Sequence, residues 1–201
     1  MEVILDEREV AGDPIVQFRD WYAQAEESGM EGVATFVLST ATESGRPSGR
    51  AVLLKGIDED GIVFYTNYTS RKGNEIRSNP VAAATFVWIP IHRQVRFEGK
   101  VMPVPPEVSD VYFETRPLGA RIAAAASPQS EVVGSRAELD RRYAEVEAAS
   151  DEGVVRPESW GGYRIVPEMV EFWQGRENRF HDRLRYRRAE NDDWIVERLA
   201  P

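Results

Sequence analysis

The chain contains no cysteine and only two histidines, His92 and His181, far apart in sequence. Disulfides and thiolate-bound metals are thereby excluded, and no histidine-based metal centre is expected. No apolar run approaches the ~20 residues needed to span a bilayer. The acidic start, MEVILDEREV, lacks the basic stretch and apolar core of a secretory signal, so a soluble, cytoplasmic protein is expected. Also missing are a glycine-rich dinucleotide fingerprint, a phosphate loop and a nucleophile elbow. No nucleic-acid motif is recognisable. A net charge of −9 opposes binding to nucleic acid and to anionic membranes.

What is present suffices for one sizeable core. The 201 residues are 42% hydrophobic and read as a single domain, with residues 1–12 as a flexible lead-in. Charge is unevenly spread. Residues 176–188, RENRFHDRLRYRR, carry six Arg against Glu177 and Asp182, a formal +4, which leaves −13 on the rest. Such an island suggests a local anionic ligand.

Asp13-Pro14 predicts a capped helix start, with Ile15, Phe18, Trp21 and Tyr22 on one face and Gly29 after its end. Strands are predicted at 33–40, 50–55, 62–66, 81–89 and 94–102, with 41–49 as a turn. Ser70 caps a helix stopped by Pro80, and further helices are predicted at 105–116 and over LGARIAAAAS. Ser135 and Glu138 form a capping box for the helix at 135–150. The last quarter returns to strands: GGYRIV, MVEFWQ, RFHDRLRYR and DWIVERL. About six or seven mostly antiparallel strands with four helices fit a small barrel with helices packed outside.

Five constellations carry chemical interest. Arg179, His181, Arg183, Arg185 and Arg187 recur at a period of two, so a strand would send all five to one side. That side is either a solvated face with Arg stems laid over apolar surface, or an anion site containing one titratable imidazole. Arg71 and Lys72 stand at a helix N-terminus, where cations oppose the dipole unless an anion binds. Tyr65 and Thr66 could add hydroxyl donors there. Arg50 and Lys55 are five apart, which in an ideal strand means opposite faces. Tyr112 and Arg116 are i and i+4 on a helix, suited to a phosphate or to an ordinary surface pair. Trp160, Tyr163, Phe172 and Trp173 read as core or as a stacking platform for a flat ring.

These features occur together, in order, from about Asp13 to Pro201, and the chain resembles the pyridoxamine/pyridoxine 5′-phosphate oxidase family. The matching stretches are RAVLLK (50–55), FYTN (64–67), SRKG (70–73), RQV (93–95), YFETRP (112–117), QS (129–130), WGGYRI (160–165), FWQGRENRFHDR (172–183) and RLAP (198–201). The resemblance implies a mainly β fold with helices, a Greek-key split barrel of antiparallel strands. It also implies a homodimer with flavin mononucleotide (FMN) at the interface. FMN would then meet Arg50, Ala51, Val52, Leu53, Leu54, Lys55, Tyr65, Thr66, Arg71, Lys72, Gln94, Gln129, Ser130, Trp173 and Arg183. Lys55, Tyr112 and Arg116, with Ala120 beside them, would meet the substrate phosphate. Arg179 and His181 would stand beside the substrate ring and the reacting carbon. The implied reaction is hydride removal from the 4′ carbon of a phosphorylated B6 vitamer, with O2 reoxidising the flavin and hydrogen peroxide released.

Three positions depart from the pattern. Ala120 stands where serine is frequent, Ala123-Ala124-Ala125 replaces Gly-Ala-Trp, and the N-terminal segment lacks a covering Arg- and Tyr-bearing stretch. The loss of the tryptophan implies an enlarged neighbouring cavity. Two other readings remain: a flavin oxidase of another substrate, as in phenazine pathways, and a non-catalytic FMN or pyridoxal phosphate binder. Lys55 speaks against the first, and Arg179 with His181 against the second.

Overall fold

Strict alternation decides the architecture. Along β1 (Thr35–Ala41) the residues Phe36, Leu38 and Thr40 are buried, and along β5 (Val81–Trp88) every second residue from Ala82 to Trp88 is buried. β6 (Arg93–Pro103) does the same with Arg93, Val95, Phe97, Gly99 and Val101. One face of the sheet therefore belongs to the core and the other does not. The computed structural model describes residues 4–150 and 153–201.

The remaining strands are β2 (Pro47–Leu53), β3 (Gly56–Ile57), β4 (Ile62–Asn67), β7 (Trp160–Gln174), β8 (Asp182–Arg188) and β9 (Trp194–Arg198). The helices are α1 (Pro14–Glu27), α2 (Arg71–Ser78), α3 (Pro106–Thr115), α4 (Leu118–Ala126) and α5 (Arg136–Ala148). The strand order is β2-β1-β5-β6-β7-β4-β3, with β8 also on β7 and β9 on β8. Every pairing is antiparallel. The result is a curled, split barrel with the helices around it. It holds more strands than the six or seven expected, partly because two-residue β3 is too short to show periodicity.

Two predicted strands, GGYRIV and MVEFWQ, are one. β7 runs through Pro167 because the β6–β7 register shifts between Glu98 and Gly99. A bulge is where a strand tolerates a residue without an N–H. Gly99 is required at this point, since a Cβ there would overlap the Val166 carbonyl oxygen. The opposite correction applies to RFHDRLRYR. Its strand begins only at Asp182, after a 3-10 turn at Glu177–Arg179 in which Asn178 and Arg179 have φ of 57° and 60°. Arg179 and His181 thus do not share the alternation of Arg183, Arg185 and Arg187.

α1 seats the core. The Asp13 carboxylate accepts from the Ile15 and Val16 amides at 2.6 and 3.3 Å, and Pro14 occupies the first turn. Phe18 packs on Phe86 and Phe97, with ring centroids 4.9 and 4.8 Å apart, and Trp21 meets Phe172 at 5.1 Å. Residues 4–12, expected as a flexible lead-in, lie against β8. Leu5 is buried, and the Tyr186 hydroxyl donates to the Ala11 carbonyl at 2.7 Å. Residues 1–3 of that segment lie outside the described residues. At α5, Ser135 caps the Glu138 amide as the capping box requires. The Glu138 carboxylate instead accepts from Gly134, one residue before the cap.

Removing the fully buried Phe18 ring leaves a void among four aromatics. Phe18→Ala is expected to lower stability by about 3–5 kcal/mol. Urea unfolding followed by tryptophan fluorescence measures it, and a loss below about 1 kcal/mol would contradict this view of the core.

Candidate functional site

A cleft of about 460 Å³ opens where β2, β4 and α3 converge. Arg50, Ala51, Val52, Leu53, Lys55, Tyr65, Thr66, Lys72, Tyr112, Arg116 and Gln129 line it, together with Pro117 and Trp160. Eleven of the residues expected to meet cofactor or substrate therefore share one cavity. Arg50 and Lys55 meet there despite their odd spacing because β2 stops at Leu53. The Leu54 amide still bonds to Ala34 of the β1 side at 2.8 Å, while the Lys55 amide crosses to Val63 of β4 at 2.8 Å. Leu54 itself turns its side chain into the core.

Two desolvated cations in this cleft, Lys72 and Arg116, lack an anion among the described residues. The Lys72 ammonium is buried and bonds only to neutral oxygens: Thr66 Oγ1 and Gln129 Oε1, both at 3.0 Å, and Ser70 Oγ at 3.4 Å. Among the described residues no carboxylate pairs with it. Burial, and secondarily the Arg50 charge, push its pKa from 10.5 down to about 8. Arg116 caps the end of α3 and lies over the Trp160 ring at 4.7 Å. Its Nη1 is buried without a hydrogen-bond partner, and burial lowers its pKa. A desolvated charge in this condition is costly until an anion arrives.

A carboxylate that sequence reasoning overlooked organises the other side. Glu75 is buried in α2 and accepts from Ser48 Oγ at 2.6 Å, from Arg71 Nε at 2.9 Å and from Thr40, with Arg50 Nη2 at 3.4 Å. Burial acts to raise its pKa, but the hydrogen bonds outweigh it and hold the carboxyl at about 2. The available signal was the i, i+4 spacing from Arg71 to Glu75. Arg71 and Ser130 line an adjoining cleft of about 630 Å³ that shares Gln129 with the first. Ser130 has φ of 74°, an unusual value for a non-glycine residue.

A second group forms elsewhere. Gln94, Trp173 and Arg183 are register partners in a row across β6, β7 and β8 on the outer sheet face. Arg183 Nε bonds to the buried Glu171 at 2.8 Å, and Arg96 takes the other oxygen of Glu171 at 2.9 Å. The basic island is thus largely neutralised. Glu197 pairs with Arg187 at 2.8 Å and with Arg185, Asp192 faces Arg188, and Asp182 faces Arg176. Arg179 alone of the six has no carboxylate partner among the described residues. His181 lies beside Trp173, with centroids 4.6 Å apart. From β2 to β8 the sheet path crosses five strand spacings of about 4.8 Å, or roughly 24 Å. None of these residues lines the first cleft in the same chain.

The aromatic cluster divides as well. Trp160, Tyr163 and Phe172 are buried, whereas Trp173 is half-buried. The Tyr65 ring lies near-parallel to those of Tyr112 and Trp160, with centroids 4.0 and 5.4 Å away. Ala120 is half-buried in α4 and outside the lining of the cleft. Ala123 and Ala126 line a further cleft of about 400 Å³ between α4 and α5, but Ala125, the position of the missing tryptophan, does not.

A split barrel with a cationic, aromatic-walled cleft beside a helix N-terminus defines the class: a split-barrel protein built to bind a phosphate-bearing ligand. Comparison with known proteins specifies it further. Residues 23–150 match the pyridoxamine 5′-phosphate oxidase family model, and residues 160–201 match the model described as the pyridoxine 5′-phosphate oxidase C-terminal dimerisation region. The chain belongs to the pyridoxamine 5′-phosphate oxidase family. It is 52% identical over 195 residues to a pyridoxine/pyridoxamine 5′-phosphate oxidase of Salinibacter ruber, covering 96% of this chain and 91% of the relative. A Burkholderia ambifaria protein of the same name is 50% identical, covering 98% and 93%. Among solved structures, PhzG from Burkholderia lata in complex with tetrahydrophenazine-1-carboxylic acid superimposes with a TM-score of 0.94 at 31% identity, covering 100% and 99%. An FMN-binding protein from Nostoc punctiforme shares the fold, with a TM-score of 0.75 at 18% identity, covering 92% and 97%.

FMN is the cofactor of the family, and the donor set fits it. The uncompensated Lys72 ammonium matches a phosphate, and the adjoining clefts give length for the rest of the molecule. An anion held by Lys72 binds most tightly while the amine is protonated. FMN affinity, read by quenching of flavin fluorescence, is therefore expected to fall as pH rises through about 8. Lys72→Met should weaken binding at pH 7 and abolish that fall. An unchanged pH profile in the variant would contradict the assignment.

Proposed function

We propose that this protein oxidises pyridoxamine 5′-phosphate, pyridoxine 5′-phosphate or both to pyridoxal 5′-phosphate, with O2 as the electron acceptor and hydrogen peroxide released. The observation that carries the reading is the pair of anion-seeking cations, Lys72 and Arg116, on one cleft. One suits the phosphate of the cofactor and the other that of the substrate. Bound FMN supplies the hydride acceptor that no protein side chain can provide.

The protein's part is placement and charge. Lys72 and Arg71, at the N-terminus of α2, hold the FMN phosphate with Arg50, Thr66, Gln129 and Ser130, and Glu75 keeps Arg50 and Arg71 aimed. The segment from Arg50 to Lys55, with Tyr65, flanks the flavin. Lys55, Tyr112 and Arg116 receive the substrate phosphate, and Ala120 contributes no hydrogen bond. Arg179 orients the substrate ring and His181 supports the reacting carbon.

A homodimer completes this site. Gln94, Trp173 and Arg183 stand in a row on β6, β7 and β8, and neither they nor Arg179 and His181 line the cleft of their own chain. A second copy laid on the outer sheet face would deliver its own set. The apolar residues Val37, Leu53 and Val87, all more than two-fifths exposed on that face, favour such a contact. The dimerisation region matched over 160–201 contains four of these five residues, Gln94 being the exception.

A second reading keeps the flavin and changes the substrate. It is favoured by the close superposition on PhzG and by the three alanines at 123–125. Lys55, which lines the cleft, favours the vitamer.

Peroxide release with pyridoxamine phosphate, pyridoxine phosphate and unphosphorylated pyridoxine separates the two. The phosphorylated vitamers should turn over and the unphosphorylated one should lag. Arg116→Met should lower kcat/KM for the phosphorylated substrate by roughly ten- to a hundredfold, the worth of a hydrogen-bonded charge. A yellow protein inert towards all three vitamers would favour the second reading.

A further inference from the structure

The loop joining β7 to β8 determines which way His181 can act. The main-chain N–H of Arg176 donates to His181 Nδ1 at 3.0 Å. Arg176 is itself anchored, its Nη1 lying 3.3 Å from the buried Asp182 carboxylate. The left-handed pair Asn178 and Arg179 turns the chain so that residue 181 folds back onto residue 176. Trp173 lies against the imidazole, with ring centroids 4.6 Å apart, and limits its rotation. A main-chain N–H can only donate, so the ring nitrogen facing it must present a lone pair. A neutral imidazole has a single N–H, which then resides on Nε2. Among the described residues Nε2 has no hydrogen-bond partner, so that N–H is available to a ligand.

We propose that the Arg176 main chain fixes His181 as the Nε2–H tautomer, so that His181 meets its ligand as a hydrogen-bond donor and not as a proton acceptor. The catalytic half of this rests on the reading above, which sets His181 beside the reacting carbon; the tautomer does not. The one lone pair a general base would need is already engaged at Nδ1. A proton added at Nδ1 would oppose the Arg176 N–H head-on. The ligand atom that suits Nε2–H is an oxygen or nitrogen carrying a free lone pair. The proton released when an alcohol or amine is oxidised must then leave by another acceptor. Arg176 is a positioning residue here, acting through His181.

The test uses the small histidine content. His92→Asn leaves His181 as the sole histidine, and asparagine suits the left-handed backbone of position 92, where φ is 53°. The variant, labelled with 15N-histidine and loaded with FMN, is studied by two-bond proton–nitrogen correlation at alkaline pH, where an imidazole is neutral. The nitrogen that couples to both ring C–H protons is Nε2, and it should show the shift of a protonated nitrogen. A protonated Nδ1, or averaging between the two forms, overturns the proposal whatever the enzyme's activity. Turnover then tests the donor role. His181→Gln, whose amide N–H reaches towards the Nε2 position, should keep more kcat/KM than His181→Asn, which retains only the acceptor facing Arg176. Equal loss in both, or a better Asn variant, would overturn the donor role while leaving the tautomer to the spectrum. A wild type inactive on every vitamer would refute the functional reading alone.

Discussion

The arrangement depends on one uncompensated charge. Lys72 places an ammonium below the surface, among hydroxyl and amide oxygens, with no carboxylate at hand. Left alone, such a group disfavours its own protonation, as its lowered pKa records. A phosphate removes that penalty and would gain further from the neighbouring α2 N-terminus. The contrast with neighbouring arginines is instructive. Arg50 and Arg71 share Glu75, so they are held in place before any ligand binds. The pocket thus combines two pre-aimed guanidinium groups with one ammonium that still seeks its anion.

The sheet divides the residues of the proposed site into two groups. The cleft sits where β2, β4 and α3 meet, whereas Gln94, Trp173 and Arg183 form a row across β6, β7 and β8 on the outer face and do not line it. Beside that row Glu171 bridges Arg96 and Arg183, which holds the Arg183 side chain in place. The turn at Asn178 and Arg179 projects the neighbouring loop beyond the strand ends. Two non-glycine residues in the left-handed region cost on the order of 1–3 kcal/mol each, a strain that persists where surrounding contacts impose it. In the proposed homodimer a second copy would bring this loop over the cleft and give the strain a use.

Much of this was legible in the residues. The caps at Asp13 and Ser70 and the alternation of β1, β5 and β6 follow from local rules that tertiary packing did not override. The grouping of Arg50, Lys55, Lys72, Tyr112 and Arg116 was legible through the family resemblance, not through periodicity. Ideal strand geometry sets Arg50 and Lys55 apart, and only the change of hydrogen-bond partner after Leu53 reunites them. The basic island misled for a related reason. Its arginines alternate from residue 183 onwards, but their partners Glu171 and Glu197 lie on β7 and β9, and cross-strand pairing is invisible along a single strand. The left-handed turn before β8 was hidden because neither Asn178 nor Arg179 is a glycine. Glu75 was missed because its burial comes from β1 and β2 closing over α2.

The most direct measurement is a calorimetric comparison of FMN with riboflavin on the flavin-free protein. The two ligands differ only in the phosphate that Lys72 and its neighbours are held to receive. FMN should bind tighter by roughly a hundredfold or more, the worth of at least one charged hydrogen bond in a desolvated site. Equal affinities would contradict the account at its root.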